Sequence, residues 1–328
     1  MHFSSLLLLT LAFTASSMPA AQANADATTP LTAQTPIQVS AEPKRFDLMT
    51  VDAAQHRLLA AHSQAGTLTV IDLGTDRLLA EIAVGDKVSG VAVDTEDGKY
   101  FADAIQGVGV IDSKNLQKTA FIKTSGPTDD MAYDPTNHKL YVTHDDGTEI
   151  WVVDARKDAL IGHIDIPGVP EIMQMDAPAR RLYINIKDKN EVAVIDLDKG
   201  MVLSTWPAPA TDSPHGLALD AKGGRLYVAG HSAKVSVFSV PDGKGLPAID
   251  IGDGRSDQTA FDPGLERLYI PNSGRLVTVD TAKGAVLGSV DIPKSTHSVA
   301  VDPATHWVWI VYADDKGSYA QAFAPAMH

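Results

Sequence analysis

The 328-residue chain contains no cysteine. A disulfide framework, a lipid-attachment cysteine and haem attachment through C-x-x-C-H are therefore excluded. Positive charge is also scarce, since 27 Lys and Arg face 41 Asp and Glu for a formal net charge of −14 at pH 7. Nucleic-acid binding depends on Lys and Arg releasing counterions from phosphates, so a nucleic-acid partner is unfavourable.

Long apolar runs are absent beyond the N-terminus, so we expect no transmembrane segment in the mature chain. Residues 1–25 combine an apolar core over residues 6–15 with A-x-A sequences ending at Ala23 and Ala25. This pattern is typical of a secretory signal peptide, although it has no Lys or Arg before the apolar core. The alternative, a membrane anchor, needs a longer run to cross about 30 Å of hydrocarbon. We expect cleavage after Ala23 or Ala25 and a periplasmic or secreted protein.

One aspartate motif repeats seven times along the remaining chain. Each aspartate ends a short apolar run such as GVAVD or GLALD and opens a turn rich in Pro, Gly, Asn and Ala. Neighbouring copies are 40 to 44 residues apart. The seven copies are Asp52, Asp94, Asp134, Asp176, Asp220, Asp262 and Asp302.

Each of the first six repeats contains four short β-rich runs, which predict four antiparallel strands. Seven such units predict an all-β, seven-bladed β-propeller in one domain over residues 36–328. The last repeat ends before a fourth strand, which would leave an unpaired sheet edge. Residues 36–42 end five residues before Asp47, and the fourth strands of several other blades end five residues before the equivalent position. We therefore expect this N-terminal strand to close the last blade. Residues 26–35 are expected to form a flexible lead-in.

The second run of several blades carries a recognisable pattern, LYVTH at 140–144, LYINI at 182–186, LYVAG at 226–230 and LYIPN at 268–272. It resembles the Y-V-T-N repeat of the YncE-like bacterial β-propellers over residues 36–324. The chain departs from that repeat at its last position, where His62 and His144 stand in blades one and three. The resemblance implies a propeller that binds a ligand or partner, often without a defined activity.

The position five residues before each repeated aspartate is polar in every blade. We call these seven residues the mouth ring; they are Asp47, Ser89, Asp129, Glu171, His215, Asp257 and His297. In an antiparallel blade, the loop that enters the first strand lies on the same face of the propeller as the end of the second strand. The first strands are expected to be innermost, so this face surrounds the mouth of the central channel. The mouth ring, His62 and His144 are therefore predicted to line that mouth. All of these except Ser89 are predicted to bind ligand. The alternatives are a solvated channel lining or a ring turned towards neighbouring blades.

The trio His215, Asp257 and His297 comes from consecutive blades and mixes imidazole with carboxylate. Such a mixture can hold a divalent metal ion as a cofactor, or it can supply a general base. Two functions therefore stay open, and with them whether the protein is an enzyme. The first is an exported binding protein for a small molecule, metal or protein at the mouth face. The second is a divalent-metal-dependent lyase or lactone hydrolase.

Overall fold

The computed structural model describes residues 29–326, and its regular secondary structure is almost entirely β-strand. Cleavage at Ala23 or Ala25 is a prediction that lies outside the described residues. The strands in the first half of the chain are β1 (Leu31–Ala33), β2 (Ile37–Ser40), β3 (Met49–Asp52), β4 (Arg57–His62), β5 (Thr67–Asp72), β6 (Arg77–Ala83), β7 (Val91–Asp94), β8 (Lys99–Ala104), β9 (Gly107–Asp112), β10 (Gln117–Lys123), β11 (Thr128–Asp134), β12 (Lys139–His144), β13 (Glu149–Asp154) and β14 (Ala159–Asp165).

The second half of the chain repeats the same alternation of strands and short turns. Its strands are β15 (Pro170–Asp176), β16 (Arg181–Ile186), β17 (Glu191–Asp196), β18 (Met201–Pro207), β19 (Pro214–Asp220), β20 (Arg225–Gly230), β21 (Lys234–Ser239), β22 (Gly245–Asp250), β23 (Ala260–Asp262), β24 (Arg267–Asn272), β25 (Arg275–Asp280), β26 (Ala285–Asp291), β27 (Val299–Val301), β28 (Val308–Asp314) and β29 (Gly317–Pro325). Within residues 29–326, no helix has the length and hydropathy that crossing a membrane requires.

Strand pairing confirms the predicted seven-bladed β-propeller. Blades one to six are antiparallel sheets of four consecutive strands, from β3–β6 through β23–β26. The first strand of each blade is innermost, and neighbouring innermost strands contact one another around the ring, including β27 of blade seven with β3 of blade one. The N-terminal ends of these strands therefore converge at one mouth of the central channel.

The hydrophobic core lies between neighbouring blades. In one cluster Phe101 and Val110 of blade two pack with Met131, Val142 and Trp151 of blade three. A large side chain seven residues after the repeated aspartate is fully or almost fully buried in most blades, and this explains the recurring LY pattern. These side chains are Phe101, Tyr141, Tyr183, Tyr227, Tyr269 and Trp309.

Blade seven is closed by the N-terminal segment, as predicted, but by two strands. β2 pairs with the first half of β29, and β1 pairs with the second half, with Leu31 opposite Pro325. The predicted flexible lead-in of residues 26–35 is therefore wrong where β1 forms. β1 forms because Leu31, which is 1% exposed, packs with Tyr269 and Phe323, and because β29 is long enough to pair with two strands.

The repeated aspartates stabilise the turns at the end of the propeller opposite the mouth. Each accepts hydrogen bonds from its own turn, whose fourth residue has positive φ in every blade; these are His56, Gly98, His138, Arg180, Gly224, Glu266 and His306. Where this residue is Arg or His it can reach the preceding blade: Arg180 Nη1 donates to Asp134 Oδ2 at 2.6 Å, and His306 Nδ1 lies 3.0 Å from Asp262. Arg180 and His306 therefore join neighbouring blades through a buried aspartate.

Candidate functional site

The mouth ring forms a connected cluster of charged side chains. His297 Nδ1 lies 3.2 Å from Asp257 Oδ2, which joins blades six and seven. His215 Nε2 lies 3.7 Å from Glu171 Oε1, which joins blades four and five. Asp129 belongs to the same electrostatic neighbourhood, since the charges of Glu171 and Asp47 both raise the pKa of its carboxyl. Ser89 is fully buried beside them.

Four residues outside the predicted set also belong to this cluster. Lys187 Nζ contacts Glu171 Oε1 and lies 3.9 Å from Asp145 Oδ1. Lys87 Nζ donates to the other oxygen of Asp145 at 2.7 Å. The His231 ring stacks on His215 with centroids 4.2 Å apart. Asp145, Lys87, Lys187 and His231 thus extend the mouth site beyond the predicted ring.

A one-residue shift explains why three of them were missed. The predicted residues His62 and His144 stand ten positions after their aspartates, whereas Asp145, Lys187 and His231 stand eleven positions after theirs. Neighbouring residues in a strand point to opposite sides, so the shift selects the other face. The signal was present in the sequence, because position eleven carries three charged or imidazole residues in consecutive blades.

His62 and His144, predicted to bind ligand at the mouth, pack against residues of their own blades. The side chain of His62 is 1% exposed, and its ring bonds Glu81 Oε2 at 2.9 Å and the carbonyl of Lys44 at 3.1 Å. His144 stacks on Trp151 with centroids 4.5 Å apart. Both are the tenth residues after an aspartate, so the same alternation of side chains places them against their own blades.

Buried polar side chains hold the mouth loops in place. Asp103 Oδ1 accepts hydrogen bonds from the backbone N–H groups of Ser89 and Gly90, and Asn185 Nδ2 donates to the carbonyls of His215 and Gly216. Asp130 Oδ2 accepts from the N–H of Met173 in the next blade. Because these bonds fix the backbone, the mouth side chains are presented by a rigid frame.

The carboxylates of the mouth titrate abnormally. Burial and the nearby Asp257 carboxylate raise the pKa of Asp47 to about 7, against the opposing effect of His297 and Lys87. Burial and the charge of Glu171 raise the pKa of Asp129 well above its ordinary value. Burial also raises the pKa of Glu171, although His215 and Lys187 moderate it. Burial therefore disfavours the charged form of all three carboxyls, and neighbouring carboxylates add to this effect.

The pKa values of His297 and its partner Asp257 shift in the directions that favour their charged forms. Burial opposes protonation of His297, but Asp257 and Asp47 outweigh it and raise the pKa of that imidazole. Burial would raise the pKa of Asp257, but the hydrogen bond and charge of His297 lower it. His297 and Asp257 therefore form an ion pair at the mouth, whereas Asp47 shares the same space with a pKa near neutrality.

The mouth is open enough for a small ligand. A cavity of about 810 Å³ is lined by the acidic Asp47 and Asp86, by His297 and by three basic residues, which are Lys44, Arg45 and Lys87. The ligand atoms of His215, Asp257 and His297 do not lie within 4.8 Å of one another. Within residues 29–326, the one group of three such atoms belongs to Glu149, His163 and Asp165. Metal binding by His215, Asp257 and His297 therefore remains a prediction without a preformed ligand set.

Folding stability should fall as pH rises from 5.5 to 8. Asp47 and Asp130 have pKa values raised to about 7, chiefly by burial, so the folded state binds more protons than the unfolded state between about pH 4 and 7. The raised pKa of His297 acts in the same direction, and the lowered pKa of His231 opposes it. Scanning calorimetry should give a melting temperature several degrees higher at pH 5.5.

Two variants decide whether the mouth causes that slope. Asp47→Asn removes one carboxyl with a raised pKa, so it should flatten the dependence of melting temperature on pH. Asp76→Asn changes an exposed carboxylate in the turn between β5 and β6, at the opposite end of the blade, and should leave the slope unchanged. A melting temperature that rises between pH 5.5 and 8 would contradict the assignment.

Comparison with known proteins supports the fold. The hydrazine synthase of Kuenenia stuttgartiensis matches with a TM-score of 0.74 over 85% of this chain and 95% of that chain, at 16% sequence identity. At such identity the likeness concerns the β-propeller fold alone. The sequence model of no known protein family matches the chain, and no curated protein matches it.

Proposed function

We propose that the protein is an exported, YncE-like β-propeller that binds a small organic cation, a primary amine or guanidinium compound, at the channel mouth. The observation that carries this proposal is the gathering of carboxylates from separate blades beside cations that are already paired. The N-terminal signal pattern supports export, and the repeated LYVTH-type strands support the YncE-like relationship.

The pairing of charges leaves two carboxylates unmatched. Lys87 and Lys187 both contact Asp145, and Lys187 also contacts Glu171. His297 contacts Asp257. Within residues 29–326 no Lys, Arg or His nitrogen lies within 4.0 Å of the carboxylate of Asp47 or Asp129. A ligand cation beside these two groups would provide the missing positive charge.

The spacing of the mouth groups favours an organic cation over a metal ion. Metal ligands stand about 2.0–2.2 Å from a zinc ion and must therefore lie close together. An ammonium group donates hydrogen bonds of about 2.7–2.9 Å in three directions, so it can serve carboxylates that are farther apart. The alternative of a divalent-metal-dependent lyase or lactone hydrolase gains no comparable support from these positions.

Calorimetric titration with two probes, putrescine and agmatine, tests this function at pH 7. Wild-type protein should bind at least one of them and release protons, because the bound cation lowers the pKa of Asp47 from about 7. Titrations in two buffers of different ionisation enthalpy measure that release. Asp47→Asn combined with Asp129→Asn should weaken binding at least about tenfold, since two charge-assisted hydrogen bonds are lost.

Asp76→Asn serves as the matched control, because it removes one carboxylate far from the mouth and should not change the affinity. Equal binding by the wild type and the Asp47/Asp129 double variant would contradict the proposed site. Failure of both probes to bind would contradict the ligand class and leave the mouth as a solvated channel lining.

A further inference from the structure

We propose a second site, separate from the mouth: a binding site for a zinc-class divalent metal ion on one face of blade three, formed by Glu149, His163 and Asp165 with His144 beside them. Glu149 of β13 stands directly opposite Asp165 of β14, and His163 precedes Asp165 by two residues. Residues two apart in a strand share a face, so these three side chains project from the same side of the sheet.

The ligand atoms of the three residues are already close together. His163 Nε2 lies 3.6 Å from Asp165 Oδ1 and 3.9 Å from Glu149 Oε2, and the three ligand atoms lie within 4.8 Å of one another. Zinc bonds of about 2.0–2.2 Å in a tetrahedron require ligand atoms roughly 3.4 Å apart. Small side-chain rotations would therefore bring the three atoms to bonding distance.

His144 supplies an independent indication of a missing partner. Its Nδ1 lies 3.5 Å from Glu149 Oε1, and this buried nitrogen has no hydrogen-bond partner among residues 29–326. The equivalent histidine of blade one, His62, uses both ring nitrogens, one with Glu81 and one with the carbonyl of Lys44. Blade three thus leaves free an imidazole nitrogen that blade one satisfies, beside a carboxylate of the proposed site.

The set is specific to this blade and does not follow from the repeat. The cross-strand pair equivalent to Glu149 and Asp165 is Gly107 and Lys123 in blade two, and Arg275 and Asp291 in blade six. Neither pair offers two carboxylates to a metal ion. The position of His163 is taken by Phe121 in blade two, so the imidazole is also particular to blade three.

The chemistry of the donors defines the class of metal. Imidazole nitrogen combined with carboxylate oxygen suits zinc and similar first-row transition ions. Calcium and magnesium prefer sites composed of oxygen alone. The metal would connect β13 to β14, and β12 as well if His144 joins, so it would stabilise the outer part of blade three in proportion to its free concentration.

Zinc titration of the untagged, EDTA-treated and dialysed mature chain tests this site. We expect one zinc ion per chain, with His163→Ala and Glu149→Gln each weakening the affinity at least about tenfold, since even loss of an indirect partner costs 10–100-fold. His163 is 54% exposed on an outer strand, so its replacement should leave the circular dichroism spectrum unchanged. Zinc should also raise the melting temperature of the wild type and not of His163→Ala.

The double variant His215→Ala/His297→Ala is the control for the mouth and should bind zinc as the wild type does. The site is overturned if zinc fails to bind, or binds His163→Ala and Glu149→Gln as tightly as the wild type. Loss of binding in the mouth double variant alone would assign the metal to the mouth ring. Calcium binding as tight as zinc binding would overturn the proposed metal class.

Discussion

A chain that begins at residue 43 should lose cooperative thermal unfolding, whereas a chain that begins at residue 29 should keep it. The shorter chain lacks β1 and β2, which together cover the outer edge of β29. It also loses the burial of Leu31 and Val39, worth about 1.5–3 kcal/mol each. Because whole domains are stable by only about 5–15 kcal/mol, the loss is a large part of the total.

Calorimetry on chains starting at residues 29, 35 and 43 measures the contribution of each strand. The chain from residue 35 lacks β1 alone and should show an intermediate melting temperature. A synthetic peptide of residues 29–42, added to the chain from residue 43, should restore a single transition by pairing with the exposed edge. Identical melting of all three chains would show that the two strands do not close the ring.

Replacement of Arg180 by glycine should destabilise the protein by about 3 kcal/mol. Arg180 donates to Asp134, whose side chain is fully buried, and removal of one partner from such a pair typically costs 3–5 kcal/mol. Glycine suits this test because Arg180 has φ of 55° and blades two and five already have Gly98 and Gly224 here. The substitution removes the backbone strain of positive φ, which partly offsets the entropy that glycine adds to the unfolded chain, so most of the loss measured by urea unfolding is expected to come from the side chain.

Lys283→Ala is the surface control for that experiment. Lys283 pairs with Asp280 in an exposed turn, and such pairs contribute about 0–1 kcal/mol. The coupling between Arg180 and Asp134 can be measured by a double-mutant cycle with Asp134→Asn. A loss for Arg180→Gly no greater than that for Lys283→Ala would show that the connection between blades three and four adds little stability.

The fold could be predicted because its determinants are local and repeated. The aspartate at each strand end and the four apolar runs between copies recur in every blade, so they define blade number and strand order. β1 was missed because its three residues carry little pattern of their own. Leu31 becomes core only through β29, which lies almost the whole chain away, and sequence periodicity does not reveal such a pairing.

The mouth site was predicted in part, and its errors share one cause. Spacing from the aspartate selected Glu171 and His215, which lie 3.7 Å apart, and Asp257 and His297, which lie 3.2 Å apart, because this spacing is the same in every blade. Spacing does not show to which side a strand residue points. His144 and Asp145 are neighbours in sequence, yet one packs on its own blade and the other contacts Lys87 at the mouth.

The titration of Asp47 tests the proposed site most directly. The carboxyl carbon of this residue can be followed by NMR from pH 4 to 9 in the wild type, with and without agmatine. We predict a midpoint of about 7 in the free protein, because burial and the neighbouring carboxylate of Asp257 disfavour the charge, and a lower midpoint when the cation is bound. A midpoint near 4 in both samples would show a solvated carboxylate and contradict the cation site.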